Sequence, residues 1–459
     1  MSTLENFYFL LPLSLQQFLV AVYGVNWYRR RFSKHFHQLV KEFKDREYWS
    51  KKQFIDYQNN RLQELMTSAW NSVYYKEVFI ISGISSSDTK VTQIDQLPLL
   101  TKETLRERYK DLLTSRIPRG TIIQKSSGTT GTPSYTYYTK EFHAFELAVP
   151  EARNLNWAGV TYKDKRVMFG VRKVCSFGQD RPPFWRFSPI ENMAYASIYH
   201  LSPKYLPYYI EFLKSYQPSI IMGYPSALFS IARFALENNK LPAPARVVVT
   251  MAETLESRVR NAIEDTWKCR VFDRYGAVEG CMFVSQCEYG KYHVSPEVGI
   301  IEILDQNGDP CPPGKIGEVV CTGLQNTLQP LIRYRVGDAA CWAEDQSCQC
   351  NRQMPIIERI EGRYEDICYT KDGREILRFD TVFKGLDSIK EAQVVQESFE
   401  KFLIYVVPSD GFNEDSINLL LHNMKLHVGE IPTEVKVVDH IERSPSGKFR
   451  AVISKVPRL

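Results

Sequence analysis

Short β-branched runs alternate with longer helical stretches through the middle of this 459-residue chain. The runs occupy residues 166–171, 219–222, 246–251 and 270–273, and the helical candidates occupy residues 203–216, 226–238 and 255–268. Strands separated by helices of this length are typical of a parallel sheet with helical crossovers. The alternation therefore predicts an α/β fold, in which ligands bind beyond the carboxyl ends of the strands.

The regions on either side of this core have a different character. Residues 1–115 read mostly helical, whereas residues 292–342 contain short strands at 299–304 and 317–322. Near the end of the chain, residues 401–407 and 434–438 read as strands and residues 415–427 as a helix. We therefore predict a large N-terminal domain (1–362), made of parallel-sheet layers plus a β-rich subdomain. A small mobile α+β domain (363–459) follows through a short hinge.

Charge and cysteine usage exclude several classes of protein. Lys and Arg number 58 against 53 Asp and Glu, and a net charge of +5 is too mild to indicate nucleic-acid binding. The ten cysteines are scattered and follow no secretory signal, so we expect a reducing cytoplasm rather than a disulfide framework. No G-x-x-x-x-G-K-[S/T] sequence occurs, which disfavours a P-loop NTPase.

Residues 7–28 are rich in apolar and aromatic side chains, and the basic cluster Arg29-Arg30-Arg31 follows them. The polar residues Gln16 and Gln17 interrupt the apolar run, as do Pro12 and Asn26, well short of a membrane-spanning length. A helix that packs on the rest of the protein is therefore favoured. Peripheral association with a membrane is the alternative.

The run Ser126-Ser127-Gly128-Thr129-Thr130-Gly131-Thr132-Pro133 combines two glycines with five hydroxyl residues. Glycine permits a tight turn and a close approach to a ligand. Successive backbone N–H groups with flanking hydroxyls can then form a concave site for an anion. The run predicts a phosphate-binding loop, and a flexible surface loop is the alternative.

Two later segments carry complementary chemistry. Asp273-Arg274-Tyr275-Gly276-Ala277-Val278-Glu279-Gly280 follows a predicted strand, so its ring and carboxylate could stack a base and hold a cation. Arg333-Tyr334-Arg335-Val336-Gly337-Asp338 offers a carboxylate for paired sugar hydroxyls and arginines for phosphate. The alternatives are a routine turn for the first segment and a surface ion-pair cluster for the second.

Two charged segments lie in the last quarter of the chain. Arg359-Ile360-Glu361-Gly362-Arg363-Tyr364-Glu365-Asp366 marks the predicted domain boundary and could act as a hinge or serve as a solvated linker. Ser444-Pro445-Ser446-Gly447-Lys448-Phe449-Arg450 is a turn that presents a lysine. Such a lysine could stabilise charge in a transition state, or the turn could be an exposed basic tail.

In order and spacing, these five segments resemble the adenylate-forming superfamily of acyl- and aryl-CoA synthetases. The resemblance is to phenylacetate–CoA ligase-like proteins, and within them to members found in capsule and exopolysaccharide gene clusters. It covers most of the chain, from the aromatic opening segment (6–24) to Lys448. The glycine-containing run and the turn that holds Tyr275 and Glu279 are its most specific parts.

The resemblance implies an ATP site and a role for each matching residue. The ATP phosphates would contact Ser126, Ser127, Gly128, Thr129, Thr130, Gly131 and Thr132. Ala252 and Glu253 would line the adenine site, and Tyr275 would pack against adenine beside Asp273 and Gly276. Asp338 would hold the ribose hydroxyls with Arg363 nearby. Glu279 would help to bind Mg²⁺, and Lys448 would contact the attacking carboxylate and the α-phosphate. Catalysis would therefore fall to Lys448, Glu279 and Thr130.

The implied reaction is ATP-dependent adenylation of a carboxylic acid, followed by acyl transfer to CoA or a carrier-protein thiol, in polysaccharide biosynthesis. Three positions depart from the family: Ser134 stands where many relatives have a lysine, Glu365 replaces the hinge aspartate, and Asp372 precedes the hairpin glycine. The last departure weakens the expectation of CoA. Direct transfer to an amine or hydroxyl of a sugar precursor therefore stays open, as does a non-catalytic zinc-binding scaffold.

The acid cannot be identified from the sequence. Phe177, Phe184, Trp185 and Tyr224 could line a pocket for an apolar or aryl acid, or belong to the core. His143 and His200 have no evident partner and are expected to serve packing.

The cysteines and a histidine suggest a zinc site. Cys348 and Cys350 form a tight pair, and Cys287 and His293 lie close together in the sequence. Thiolates and an imidazole suit tetrahedral zinc, and the resembling branch carries a comparable set. Cys341 is a competing fourth ligand, and unrelated free thiols are the alternative. Zn²⁺ is thus a candidate cofactor alongside ATP, Mg²⁺ and CoA.

Overall fold

The computed structural model describes residues 3–84, 90–125, 134–170, 172–253, 255, 257–305, 307–361, 368–370, 374–376, 379, 381–386, 388–442 and 452–456. The helices are α1 (Thr3–Leu10), α2 (Leu13–Arg31), α3 (Lys34–Asp45), α4 (Lys51–Ala69), α5 (Val73–Ile81), α6 (Lys102–Glu107), α7 (Lys140–Pro150), α8 (Leu206–Tyr216), α9 (Pro225–Glu237), α10 (Ser257–Trp267) and α11 (Glu414–Val428). Short 3₁₀ segments lie at Val91–Gln96 and Pro189–Glu191, and a π-helical turn lies at Glu151–Leu155.

The strands are β1 (Ile122–Lys125), β2 (Tyr135–Tyr138), β3 (Arg166–Gly170), β4 (Trp185–Ser188), β5 (Met193–Ser197), β6 (Ile220–Gly223), β7 (Val247–Met251), β8 (Val271–Gly276), β9 (Phe283–Gln286), β10 (Tyr292–Val294), β11 (Gly299–Leu304), β12 (Gly317–Gly323), β13 (Leu331–Trp342), β14 (Ile356–Glu361), β15 (Cys368–Tyr369), β16 (Glu375–Ile376), β17 (Ile389–Ser398), β18 (Lys401–Pro408), β19 (Thr433–Val437) and β20 (Val452–Ser454).

One large mixed sheet forms the body of the protein. Its strand order is β11-β12-β13-β14-β10-β9-β8-β7-β6-β3-β5-β4. The stretch β5-β3-β6-β7-β8 is parallel, as the alternation of strands and helices predicts, and β4 closes one edge in the antiparallel sense. The predicted α/β fold class is confirmed. The β-rich section is continuous with the parallel strands, because β8 pairs antiparallel with β9.

Helices α8, α9 and α10 bury the parallel strands. Trp267, at the end of α10, is fully buried in the same apolar cluster as Val248 of β7 and Ile221 of β6. Strands covered by helices need no polar face, so they read as nearly continuous apolar runs. This packing fixes the ends of β6, β7 and β8 at one edge of the sheet.

Helices α3 to α7 begin at hydroxyl residues and pack around the sheet. The side chains of Ser33, Ser50, Ser72, Thr101 and Thr139 each accept a bond from a backbone N–H in the first turn of the helix that follows. These caps satisfy N–H groups that have no partner within the helix. Within the described part of the chain, no helix has the length and apolar character needed to cross a membrane.

The C-terminal region contains a four-stranded sheet in the order β19-β18-β17-β20, with α11 packed on it. Strands β18 and β19, like helix α11, occupy the stretches that the sequence predicts. The imidazole of His427 lies 6.0 Å from the ring of Tyr199, between ring centroids, so this region contacts the body beyond β5.

Candidate functional site

Three neighbouring parallel strands end at one place and define the candidate site. β6 ends at Gly223, β7 at Met251 and β8 at Gly276. After β7, Ala252 takes a left-handed backbone conformation (φ 68°), and Glu253 turns toward the start of α9. Its carboxylate accepts bonds from the Ser226 backbone N–H at 3.2 Å and from the Ser226 hydroxyl at 2.5 Å. The predicted adenine segment is therefore anchored to the first turn of α9.

Tyr275 and Asp338 meet at the end of β8. The Tyr275 hydroxyl donates to Asp338 Oδ2 at 2.8 Å, although 63 residues separate them in the chain. Burial, with the Asp338 charge beside it, raises the pKa of Tyr275, so the hydroxyl stays protonated and donates. Two residues that the sequence analysis assigns to adenine and ribose thus occupy one location.

Asp273 lies two residues before Tyr275 on β8 and is buried within the sheet. Its carboxylate accepts bonds from the Thr250 hydroxyl at 2.6 Å and the Tyr292 hydroxyl at 2.8 Å. Burial raises the pKa of Asp273 to about 6, and these two bonds oppose that rise. Both oxygens are engaged by protein hydroxyls, which suits a residue that positions β8 better than one that contacts nucleotide.

The buried carboxylate of Glu279 connects the turn after β8 to Ser134, which precedes β2. Its Oε1 accepts from the Tyr334 hydroxyl at 3.0 Å and from the Ser134 hydroxyl at 3.4 Å. Ser134 directly follows residues 126–133, and the Tyr138 hydroxyl donates to the Val278 carbonyl at 2.7 Å. Ser134, the first described residue after the predicted phosphate loop, therefore lies at Glu279.

Gly280 is the glycine that this arrangement requires. It has a left-handed conformation (φ 68°), and a Cβ there would lie 2.7 Å from the Tyr138 hydroxyl oxygen and 3.0 Å from Cδ of Glu146. Burial raises the pKa of Glu146 to about 8, so its carboxyl is mostly neutral at pH 7. Glu146 thus stands beside Glu279 as a second acid, and no local motif marks it.

Several predicted residues lie outside the described part of the chain. They are Ser126, Ser127, Gly128, Thr129, Thr130, Gly131, Thr132, Arg363, Glu365, Asp372 and Lys448. Their roles remain predictions. The sequence did not predict that Ser134 and Tyr334 bind Glu279. The two contacts span 145 and 55 residues, and contacts at such separations leave no local periodic signal.

The arginines beside Asp338 are structural, which corrects one interpretation of that segment. Arg333 is buried, and its guanidinium binds both oxygens of Glu302, at 3.0 and 2.8 Å. Arg335 pairs with Glu318 on the surface. Both guanidinium groups bind carboxylates, so neither is placed to form bidentate hydrogen bonds to phosphate. The ion-pair alternative is correct here, with one of the two pairs buried.

The aromatic residues considered for an acid pocket belong largely to the core. Phe184 is fully buried and stacks on His200, with ring centroids 4.6 Å apart. Trp185 stacks on Phe212 at 4.1 Å. His200 is buried as expected, and it also has a polar partner, since its Nδ1 lies 2.9 Å from the Ser197 hydroxyl.

A second site gathers Cys287, His293, Cys348 and Cys350. Their ligand atoms all lie within 4.8 Å of one another. The sulfurs of Cys287 and Cys348 are 3.7 Å apart, and the Cys350 sulfur is 3.3 Å from His293 Nε2. A tetrahedral zinc with bonds of about 2.3 Å would separate two sulfur ligands by about 3.8 Å. The four residues therefore fit a tetrahedral ion.

The surroundings of this cluster orient the imidazole. His293 Nδ1 lies 3.4 Å from the Met354 carbonyl oxygen, which places Nε2 toward the cysteines. A carbonyl partner on the distal nitrogen is the usual arrangement for a metal-binding histidine. Cys341, the competing fourth ligand, is not a member of this group of described residues. All ten cysteines are free thiols in the structure.

Two family models match the chain. Residues 184–329 match a model described as "AMP-binding enzyme", and residues 368–455 match a model described as "CapK C-terminal domain". The first range contains the ends of β6, β7 and β8. The second contains the four-stranded sheet and α11.

Curated relatives and solved structures agree with these matches. The chain is 26% identical to Protein CapK of Staphylococcus aureus, over 97% of this chain and 98% of the relative. It is also 26% identical to phenylacetate-coenzyme A ligase of Pseudomonas putida, over 83% and 87%. A structure of 2-hydroxyisobutyryl-CoA ligase, with 2-HIB-AMP and CoA in the thioesterification state, superposes with a TM-score of 0.59 at 20% identity, over 89% of this chain and 91% of that one. The chain is therefore similar to the adenylate-forming ligases, and in particular to CapK and to the phenylacetate–coenzyme A ligases.

Proposed function

We propose that this protein activates a carboxylic acid with ATP and then transfers the acyl group to a thiol, with coenzyme A as the first candidate acceptor. The observation that carries the proposal is the convergence of Ser134, Tyr275, Glu279 and Asp338 at the carboxyl ends of parallel strands. These residues flank or belong to the segments that the family uses for phosphate, adenine, metal and ribose.

The proposed reaction has two steps. In the first, a carboxylate oxygen bonds to the α-phosphorus of ATP while the bond to pyrophosphate breaks. In the second, a thiol sulfur bonds to the acyl carbon, AMP leaves with the oxygen, and the thiol proton passes to solvent. Asp338 would hold the ribose and Lys448 would place positive charge between the reacting groups, so positioning and electrostatics carry the catalysis.

Glu279 fits the role of a magnesium ligand. The hydroxyls of Tyr334 and Ser134 both donate to Oε1 of its carboxylate. A buried carboxylate held in this way is a suitable hard ligand for Mg²⁺. When bound, Mg²⁺ would neutralise charge on the ATP phosphates. Ser134 and Tyr334 would hold the carboxylate in place.

The Cys287, His293, Cys348 and Cys350 cluster is proposed as a structural zinc site. Four protein donors leave no open coordination position, which is the pattern of structural rather than catalytic zinc. The ion would join the β9–β10 hairpin to the segment between β13 and β14. This assignment does not depend on the adenylation proposal.

The nature of the acceptor is the finer part of the proposal. Coenzyme A comes first because relatives that match over most of their length carry the name phenylacetate-coenzyme A ligase. A place in polysaccharide biosynthesis rests on the resemblance to capsule-locus members. A carrier-protein thiol, or an amine or hydroxyl of a sugar precursor, is the alternative acceptor.

Pyrophosphate exchange over a panel of aryl, fatty and amino acids tests adenylation, and parallel reactions with and without coenzyme A test the acceptor. A Lys448→Ala variant should lose exchange while remaining folded. Lys455→Ala removes a lysine whose ammonium group lies 2.9 Å from Glu397, and it serves as the matched control. Exchange that survives in Lys448→Ala would contradict the proposed mechanism. If calorimetry detects no ATP binding by the unmodified protein, the non-catalytic scaffold becomes the better interpretation.

A further inference from the structure

Helix α2 uses its polar residues to contact the protein. Gln17 pairs with the edge strand β4 through both ends of its amide: Oε1 accepts from the Phe187 N–H at 2.9 Å, and Nε2 donates to the Phe187 carbonyl at 2.6 Å. Gln16 is buried, and its Oε1 accepts from Nη2 of the buried Arg186 at 2.6 Å. This part of the inward face of α2 is therefore polar and held by hydrogen bonds, whereas Tyr28, farther along the helix, packs on an apolar cluster.

The outward face of α2 is apolar and unpartnered within the described structure. Its side chains follow the spacing i, i+3, i+4, i+7 and i+10, which places them on one side of a helix. They are Leu15 (41% exposed), Phe18 (60%), Leu19 (39%), Val22 (51%) and Val25 (37%). Phe7 (61%) and Leu10 (84%) of α1 extend the apolar area. We call these seven residues the apolar face.

An exposed apolar area of this size on one helix indicates an interaction surface, because single scattered side chains need no explanation but a contiguous stripe does. The sequence favours a packing helix, and the polar side of α2 does pack. Helix α2 nevertheless leaves an apolar stripe exposed, whereas an ordinary surface helix buries its apolar stripe. What covers the apolar face must come from outside the described chain.

The chemistry at the end of α2 identifies the occupant. Arg29 follows Val22 by seven residues and lies on the same side, exposed. Arg30 is also exposed, and it donates to the Gly120 carbonyl at 2.9 Å. That bond brings the exposed Arg116 and Arg119 to the same end of the helix. Guanidinium groups beside an apolar stripe suit anionic phosphate headgroups above an acyl layer.

We propose that the apolar face and the arginines beside it dock this protein on the surface of an anionic phospholipid bilayer. Helix α2 would lie in the plane of the interface, with Phe18 and Val22 in the acyl boundary. The arginine stems would lie along it, and their guanidinium groups would reach the headgroups. A second copy of the chain suits this surface less well. If two α2 helices paired antiparallel, Arg29 and Arg30 of each copy would face apolar side chains of the other. If they paired parallel, these arginines would face like charges.

Co-sedimentation with vesicles tests the proposal, and it does not depend on catalytic activity. We expect the full chain to sediment with vesicles of equal phosphatidylcholine and phosphatidylglycerol, and far less with phosphatidylcholine alone or at high salt. The double variant Phe18→Ser/Val22→Ser should bind roughly tenfold more weakly. Arg29→Ala should weaken binding to anionic vesicles only.

The control is Ile81→Ser/Val437→Ser, which removes two side chains of comparable exposure (85% and 52%) away from α2 and should leave binding unchanged. Circular dichroism melts report whether each variant is folded. The proposal is overturned if the unmodified chain does not bind anionic vesicles, or if the control variant loses as much binding as the α2 variant. It is also overturned if the protein is a dimer in solution that Phe18→Ser/Val22→Ser converts to a monomer.

Discussion

At the scale of single residues, the candidate site depends on tyrosine hydroxyls that donate to carboxylates. Tyr275 bonds Asp338, and Tyr334 bonds Glu279. A carboxylate that leaves bulk water needs such donors, because an unsatisfied buried charge is costly. The tyrosines therefore hold both carboxylates in a fixed orientation before any ligand enters.

Substitutions at this pair should separate orientation from direct contact. Asp338→Ala should raise the KM for ATP by roughly tenfold or more, since hydrogen bonds to a charged group are each worth about 1.5–3 kcal/mol. Tyr275→Phe keeps the ring and removes one donor, so its effect should stay within about threefold. Initial-rate pyrophosphate exchange against ATP concentration gives both values. A Tyr275→Phe variant as impaired as Asp338→Ala would contradict the assigned roles.

Glu146 predicts a pH dependence of stability. Its pKa is raised to about 8 by burial, so the folded protein holds a proton that the unfolded chain releases above about pH 4.5. Stability should fall as pH rises between these values, and Glu146→Gln should remove that fall. The variant should gain on the order of 3 kcal/mol relative to the unmodified protein between pH 5 and pH 9.

Urea unfolding at pH 5, 7 and 9 measures this difference. Glu141→Gln, at an exposed position on the same helix α7, is the matched control and should show no such gain. Parallel stability curves for the unmodified protein and Glu146→Gln would mean that the Glu146 carboxyl is solvated.

At the scale of elements, the metal cluster should hold the β9–β10 hairpin to the segment between β13 and β14. The variant Cys348→Ser/Cys350→Ser should lose one equivalent of zinc, and its melting temperature should fall by roughly 5 °C or more, because metal binding contributes directly to folding. Elemental analysis by mass spectrometry and thermal melts test this. Cys269→Ser, a half-buried cysteine outside the cluster, should keep its metal. Purified protein without zinc would disprove the assignment.

Sequence periodicity located the elements well where one local rule applies. Strands β6, β7 and β8 and helices α8 and α9 occupy the predicted stretches within a few residues, because helix-covered strands are apolar throughout and their helices begin near prolines. The role of α2 was harder to predict. Its inward contacts include Gln16 and Gln17, and hydropathy alone assigns such residues to solvent.

The sequence predicted which residues belong to the candidate site better than it predicted which of them are in contact. Tyr275, Glu279 and Asp338 follow from motifs. Their bonds to one another and to Ser134 and Tyr334 join positions between 55 and 145 residues apart. Strand order decides such contacts, and no local spacing records it. The cysteines and the histidine were the exception, because few residue types bind zinc and their chemistry narrows the choice.

At the scale of the whole molecule, a buried ion pair ties the N-terminal helices to the sheet. Arg153 and Glu297 are both fully buried, 2.5 Å apart, and the Arg153 guanidinium also lies 5.5 Å from the ring centre of Phe43 on α3. Arg153 projects from the π-helical turn that follows Pro150. Three parts of the fold therefore meet at one charge pair.

Removal of one partner should destabilise the body of the protein. Glu297→Gln leaves a buried guanidinium without its counter-charge and should cost about 3–5 kcal/mol. The double variant Arg153→Met/Glu297→Gln removes the charge altogether and should recover part of that loss. Equilibrium unfolding in denaturant compares them. If the double variant loses more free energy of unfolding than the two single variants lose together, the ion pair is not the source of the coupling.

The continuous ladder from β4 to β11 has a consequence for how this protein could move. Helix α2 packs on the edge strand β4, the segments proposed to bind nucleotide follow the middle strands, and the cysteine cluster lies beyond β9. The hydrogen bonds of the sheet therefore set the spacing of all three. A continuous hydrogen-bonded sheet of this kind does not bend to close over a substrate. Under the proposed function, we therefore expect any closing movement during turnover to come from outside this sheet, while the sheet keeps its orientation on whatever surface α2 contacts.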